Sequence, residues 1–147
     1  MSQVINNSKD STFYILKNKE VSSYWVPNGT VVSNASGVQG ATTTLIDNDG
    51  NIWVPWGDTR QDGGDIYAQK LSGSGESLWN FNGNPIHNDN NVSWYPMMVL
   101  DGTGGAIITW QDDRTGQDEV YVQRIDAQGQ LLWGADGVRV ANISSLK

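Results

Sequence analysis

The chain of 147 residues contains no cysteine. This absence excludes disulfide bridges, zinc sites built on thiolates and catalysis by a thiol. Basic residues are few and scattered, since nine Lys and Arg stand against 16 Asp and Glu and leave a net charge of −7. No basic stripe can therefore neutralise phosphates or hold the chain on an anionic bilayer, and we expect no nucleic-acid partner.

Long apolar runs are also missing, because no segment approaches the roughly 18 apolar residues that a membrane helix needs. The opening MSQVINNSKD has neither the basic start nor the apolar centre of a signal peptide. The sequence thus predicts a soluble chain without a membrane span. These features leave its compartment open.

Glycine and aromatic residues are abundant by contrast, with 17 glycines, seven tryptophans and five tyrosines. Many glycines together with only 17% charged residues favour a turn-rich β protein over a helical one. Large aromatic side chains supply much of the area that such a chain can bury. The sequence therefore predicts an all-β fold.

An internal repeat organises the chain. The stretch GAIITWQDDRTGQDEVYVQRIDAQGQLLW, from Gly105 to Trp133, recurs without a gap 54 residues earlier as NIWVPWGDTRQDGGDIYAQKLSGSGESLW. The large residues coincide in pairs, which include Trp56 with Trp110, Asp58 with Asp112, Arg60 with Arg114, Tyr67 with Tyr121, and Trp79 with Trp133. A period of this size indicates stacked units that bury their faces only against neighbours.

The repeat divides the chain into a lead-in with a partial unit at 1–40, a complete unit at 41–94, and a second complete unit with a tail at 95–147. We expect four antiparallel strands in each complete unit, with the third strand at 65–71 or 119–125 and the fourth strand ending at Trp79 or Trp133. The second strand is apolar on both faces, which indicates burial between two sheets. Pro55 predicts a bulge or a strand end, because proline cannot donate to a ladder. Residues 1–10 are expected to form a loose lead-in, followed by short strands at 13–17 and 22–25.

The best copy of the motif starts at Gly104 and reads GGAIITWQDDRTGQDEVYVQRID. With four short strands per unit and a unit length near that of kelch repeats, it resembles the blade repeats of β-propellers in large bacterial surface and secreted proteins. The resemblance implies two complete propeller blades and a partial one, and an extracellular or cell-surface location. It implies no single activity, because propellers host many functions.

Two charged pairs recur in register, Asp58 with Arg60 and Asp112 with Arg114. They could present a carboxylate and a guanidinium to a ligand. A structural role is favoured, because residues repeated in every unit usually serve the unit itself, here by a charge-assisted bond that fixes the loop after the second strand.

The repeated tryptophans, such as Trp110 and Trp133, are expected to be packing anchors whose truncation costs about 3 to 5 kcal/mol each. Trp53 and Trp94 do not repeat, since Ile107 and Gly40 take their places. Unrepeated aromatic residues are better candidates for stacking on a sugar, and Trp94 with its neighbour Tyr95 is the best such place. Packing remains the favoured interpretation even there, because tryptophan is buried on average.

His87 is the only histidine, and no nucleophile motif accompanies it, so we expect it in a surface loop. Two acidic groups could offer hard oxygen ligands to calcium. They are the turn with Asp47 and Asp49, and the cluster of Asp112, Asp113, Asp118 and Glu119. Neither has the spacing of an EF-hand, and we expect no cofactor.

The leading functional hypothesis is a non-catalytic binding module, in its sharpest form a lectin-like one that binds a glycan or a surface protein through its loops. The first alternative is a glycosidase-like propeller that uses two carboxylates. The second is a structural segment of an adhesin or appendage. Because two and a half units cannot close a ring of at least about four blades, we expect identical chains to associate and complete one.

Overall fold

The computed structural model of the protein describes residues 27–40, 43–61 and 63–140, together with the backbone of two strands nearer the start of the chain. All twelve strands belong to antiparallel sheets, and no helix occurs in these ranges. The described residues accordingly include no helix that could cross a membrane. The strands are β1 (Gln3–Asn6), β2 (Phe13–Leu16), β3 (Thr30–Ser33), β4 (Gln39–Gly40), β5 (Leu45–Ile46), β6 (Ile52–Asp58), β7 (Asp65–Leu71), β8 (Asn84–His87), β9 (Ser93–Leu100), β10 (Ala106–Asp112), β11 (Glu119–Ile125) and β12 (Val138–Arg139).

The strands form three sheets in chain order. The first sheet has the order β1-β2-β3, and the third has the order β9-β10-β11-β12. In the second sheet, β4 and β5 both pair with β6, which is followed by β7 and β8. The second and third sheets therefore repeat one meander, and the all-β prediction is confirmed.

The second sheet lies between the other two. One of its faces places Val54, Trp56 and Tyr67 in a cluster with Val32 of the first sheet. Its other face places Trp53, Ile66 and Ala68 in a larger cluster with residues of the third sheet, which include Met98, Ile108, Trp110, Tyr121 and Ile125. All seven residues of β6 are buried, as the apolar pattern on both faces predicted.

Within the part of the chain that the structure describes, the third sheet is covered on one face only. Burial alternates along β10, although its sequence is as apolar as that of β6. Two-sided burial was therefore wrong for β10 in this chain, because among the described residues no fourth sheet packs against it.

Pro55 does not end β6, which continues in register with β7 through the pair of Pro55 and Ala68. On the other side of β6, among the described residues, β5 pairs with Ile52 and Trp53, and β4 pairs with Gly57 and Asp58. Pro55, which has no N–H to donate, lies between these two paired segments. The equivalent position in the third sheet is Thr109, and there a single strand, β9, runs the whole length.

The fourth strand of each unit lies later than expected. Ser77 and Leu131 make only isolated bridges, with Leu71 and Ile125. The outer strands are instead β8 and β12, in segments that look like connections because Asn84–His87 reads NPIH. The loose lead-in expected at 1–10 is also wrong in part, since β1 pairs with β2. The short strand expected at 22–25 falls outside the described residues.

Candidate functional site

The two Asp–Arg pairs lie at the ends of the second strands of their units, and each forms a closed network. Asp112 accepts hydrogen bonds from the Trp110 indole at 2.9 Å, from the Ser93 hydroxyl at 3.0 Å and from the Arg114 guanidinium. Arg114 also stacks over the Tyr121 ring, with its Cζ 3.8 Å from the ring centroid. Asp112 is fully buried.

The first pair repeats this geometry almost atom for atom. Asp58 accepts from the Trp56 indole at 2.7 Å and from Arg60, whose Cζ lies 3.8 Å from the Tyr67 centroid. Arg60 also donates to the carbonyl of Asn82. The donors and acceptors of both pairs are thus used inside the protein, which supports the structural role over ligand binding.

Electrostatics support the same conclusion for the second pair. Burial alone would raise the pKa of Asp112, but hydrogen bonds from Arg114 and Trp110 outweigh it and hold that pKa well below its ordinary value. The pKa of Arg114 is raised, because the bonds and charge of Asp112 outweigh its own burial. Both groups are charged at neutral pH, and Asp112 cannot serve as a general acid there.

His87 is buried at the end of β8, so the prediction of a surface loop was wrong. Its ring stacks on Trp110 with centroids 5.5 Å apart, and its Nε2 lies 3.0 Å from the Arg114 guanidinium. Burial and the charge of Arg114 lower the pKa of His87, while Asp112 and Asp89 oppose this shift. His87 thus joins the second sheet to the third, as Ser33, its counterpart in the preceding unit, reaches Arg60.

The unrepeated aromatic residues occupy different environments. Trp53 is fully buried and donates its indole N–H to Asp47 at 3.0 Å, so a sugar ring cannot stack on it in this structure. Trp94 is half-buried and lies against two glycines, because a methyl group added to Gly57 would come within 2.0 Å of its ring. Tyr95 is 65% exposed, with a backbone φ of 58° that non-glycine residues seldom adopt. Of the three, only Tyr95 presents an open ring.

A groove runs between the second and third sheets and has a volume of about 580 Å³. Its lining was not predicted, and it combines Trp79 with amide and ammonium side chains. The polar members are Lys70, Asn80, Asn84, Gln128 and Gln130. A smaller cavity of about 230 Å³ adjoins it, shares Lys70 and Ala127, and is bordered by the turns at 47–49 and 102–105.

Hydrogen bonds fix the walls of this groove. The Trp79 indole donates to the carbonyl of Ala127 at 3.1 Å, and Asn80 donates to Asn84 at 2.9 Å. On the Lys70 side, Nζ lies 3.2 Å from Asp47 and 4.4 Å from the Trp53 centroid. The exposed side chains of Gln128 and Gln130 make no hydrogen bond within the described part of the chain. The groove is thus rigid on the Trp79 side and has uncommitted amides on the other.

A signal for this groove exists in the sequence. Its polar residues do not repeat, since Gln128 and Gln130 correspond to Ser74 and Glu76. The absence of a matching residue 54 positions away, which singled out Trp53 and Trp94, also singles out Gln128 and Gln130. What the sequence does not show is that residues about 50 positions apart face each other across two units.

Neither acidic group brings three carboxylates of the described residues together. Among residues 27–40, 43–61 and 63–140, no three His, Asp or Glu side chains converge as metal ligands would. Asp47 accepts hydrogen bonds from the Asn51 amide and the Trp53 indole, which hold its pKa far below the ordinary value although burial opposes them. Its oxygens serve the turn itself.

No protein-family model matches the sequence, and no curated protein is significantly similar to it. Two solved structures resemble the fold, both from Bacteroides thetaiotaomicron VPI-5482. An endo-arabinase is 16% identical with a TM-score of 0.51, and the match covers 96% of this chain and 61% of that chain. An endo-1,4-beta-xylanase is 13% identical with a TM-score of 0.49, over 96% of this chain and 53% of that one. This chain therefore spans less than two thirds of either protein, and the likeness to the endo-arabinase is one of fold.

Proposed function

We propose that this chain is a β-propeller-type segment of a carbohydrate-active protein, and that the groove between its second and third sheets binds a saccharide. The observation that carries the proposal is the groove, which sets a tryptophan beside uncommitted amide side chains. The propeller interpretation is supported by the repeated four-stranded meander and by the face-to-face stacking of consecutive sheets.

The chemistry of the groove suits a neutral sugar. Amide side chains offer both donors and acceptors, as hydroxyl groups require, and Gln128 and Gln130 are free to supply them. Trp79 supplies apolar surface to the lining of the groove, where C–H groups of a sugar would contact it, while its N–H is bonded to Ala127. The volume of about 580 Å³ falls within the range of small-ligand sites.

Glycoside hydrolysis is the second candidate, and the comparisons favour it over a lectin-like role because the similar solved structure is named an endo-arabinase. Hydrolysis requires two carboxyl groups, one with a raised pKa that lets it act as an acid. The pKa values of Asp47, Asp89, Asp101 and Asp112 are all lowered instead. These four residues therefore favour binding over acid catalysis.

The test is a binding measurement on a panel of soluble polysaccharides that includes arabinan, by affinity electrophoresis and calorimetry. A double variant, Gln128→Ala with Gln130→Ala, should weaken binding about tenfold, the effect of losing roughly 1.4 kcal/mol of hydrogen bonding. Gln117→Ala is the matched control, because Gln117 is an exposed amide in the β10–β11 loop, at the other end of the third sheet.

The outcomes separate the alternatives. Equal binding by the double variant and the parent would move the site elsewhere, and Tyr95→Ala then tests the exposed ring beside Trp94. Release of reducing ends from a bound polysaccharide would favour hydrolysis. A well-folded chain that binds nothing in the panel would leave the structural-segment hypothesis.

A further inference from the structure

Equivalent residues of the second and third sheets have very different exposures. Ile66 is fully buried, whereas Val120 at the same place in the repeat is 48% exposed. Ile86 is fully buried, and its counterpart Val140 is 57% exposed. Because the sequences are of the same type, the difference arises from what covers them and not from the strands themselves.

The third sheet covers the face of the second sheet that includes Ile66 and Ile86. Strand β9 and the turn at 126–130 of the third sheet pack on it, and Ala127 accepts the Trp79 indole N–H at 3.1 Å. Trp133 stands at the equivalent place in the third sheet and is 40% exposed. Beside it lies an apolar cavity of about 550 Å³ lined by Val122, Trp133 and Val138. Met97 and Val99 on β9 are also exposed, at 61% and 58%.

This open face is too apolar for an ordinary solvated surface. Contiguous apolar patches of this kind mark interaction sites in soluble proteins. In the second sheet, the equivalent face is covered by the next repeat unit of this chain. A second copy of the chain can supply such a unit, because Val32 of its first sheet faces the second sheet and the adjacent Val31, on the opposite face, is 39% exposed.

We propose that the open face of the third sheet binds a second copy of this chain head to tail, so that the new contact continues the stacking of the first sheet on the second and the second on the third. Such a contact joins two different surfaces, and it gives a closed ring if the rotation closes and a filament if it does not. The proposal concerns association only and does not depend on saccharide binding.

The chain offers a closely matched pair of test variants. Val120 and Leu132 are similarly exposed, at 48% and 47%. The counterpart of Val120 is Ile66, which the third sheet buries completely, but the counterpart of Leu132 is Leu78, which stays 49% exposed in the covered unit. Covering the face should therefore bury Val120 and spare Leu132.

The experiment is size exclusion with light scattering on the parent, Val120→Glu and Leu132→Glu, with thermal unfolding to confirm that each is folded. The parent and Leu132→Glu should elute at a multiple of 16.1 kDa, and Val120→Glu should associate at least tenfold more weakly. A parent that remains at 16.1 kDa at its highest soluble concentration would overturn the proposal. Equal association by Val120→Glu, or equal loss in both variants, would overturn it as well.

Discussion

Asp58 and Asp112 each accept hydrogen bonds from an indole, a backbone amide and a guanidinium of their own unit. Buried charges are stable only when they are paired and fully hydrogen-bonded, and these two meet that condition. Removing either partner would leave the other charge without compensation. At the scale of the residue, these two buried Asp–Arg pairs therefore stabilise the fold.

The repeated tryptophans Trp110 and Trp133 should differ in how much their truncation lowers the free energy of unfolding. Trp110→Ala removes a ring that is 2% exposed and should lower the free energy of unfolding by about 3 to 5 kcal/mol. Trp133→Ala removes a ring that is 40% exposed, so its cost should stay below about 2 kcal/mol. Urea unfolding of dilute protein checks this difference, which replaces the equal losses expected from the sequence. Equal losses in both variants would mean that the third sheet is covered even in the single chain.

His87 should make stability depend on pH in a defined window. Its folded-state pKa lies below 6.5, so below about pH 6.5 the unfolded chain binds more protons than the folded one. The stabilisation from the uncharged His87 ring is therefore fully present above pH 6.5. It is lost as the pH falls through the folded-state pKa of His87.

The variant His87→Ser carries the side chain that the preceding unit has at this place, Ser33. Its free energy of unfolding should fall less than that of the parent between pH 7.5 and pH 5.5, as measured by urea titration at each pH. The carboxyl groups whose pKa values are lowered titrate below this window, so they do not contribute to the difference measured within it. An identical pH dependence in parent and variant would contradict the assignment.

At the scale of strands and turns, the sequence pattern predicted much of the fold. The bounds of β7 and β11 were predicted to the residue, because both are seven-residue runs between glycine-containing turns. The outer strands were missed, because β8 contains proline, asparagine and histidine and pairs over only a few residues. Their position depends on backbone pairing with β7 and β11, for which NPIH gives no local signal.

The candidate site was less predictable than the strands. Repetition distinguished the Asp–Arg pairs, which form closed networks in the structure, from the unrepeated residues, and the average burial of tryptophan favoured packing for Trp53 and Trp94. It could not show that Gln128 approaches Trp79, because the contact requires two units to stack. The burial of His87 also depends on that stacking, since Trp110 and Arg114 belong to the next unit.

Close packing between the sheets gives a prediction at this scale. Gly57→Ala should destabilise the protein by about 1 to 3 kcal/mol, because the new methyl group would lie 2.0 Å from the Trp94 ring. Gly63→Ala is the control, since its methyl group would meet only the side-chain tip of Val92 at 3.1 Å. Thermal and urea unfolding measure both.

A double variant identifies the cause. Gly57→Ala combined with Trp94→Ala should cost less than the sum of the two single changes, because the clash disappears with the ring. Additive losses would show that Gly57 is required for some other reason than the proximity of Trp94.

For the whole molecule, stability and association follow from the same stacking. The second sheet has neighbours on both faces and contributes residues to both apolar clusters. Within the described residues, the third sheet packs on the second sheet alone, and it carries the exposed valines. We therefore expect opening of the chain to begin at the third sheet, as terminal units of repeat proteins have fewer contacts than internal ones.

The fit of Trp94 against Gly57 and Gly64 has a consequence for how such a protein can change over time. In the repeat register, Gln111 and Asp118 of the third sheet stand where the second sheet has these two glycines. The preceding unit carries Gly40 where Trp94 stands. A duplicate of the Trp94 unit placed behind the third sheet would therefore set its ring against larger side chains, and such a duplication would need compensating substitutions.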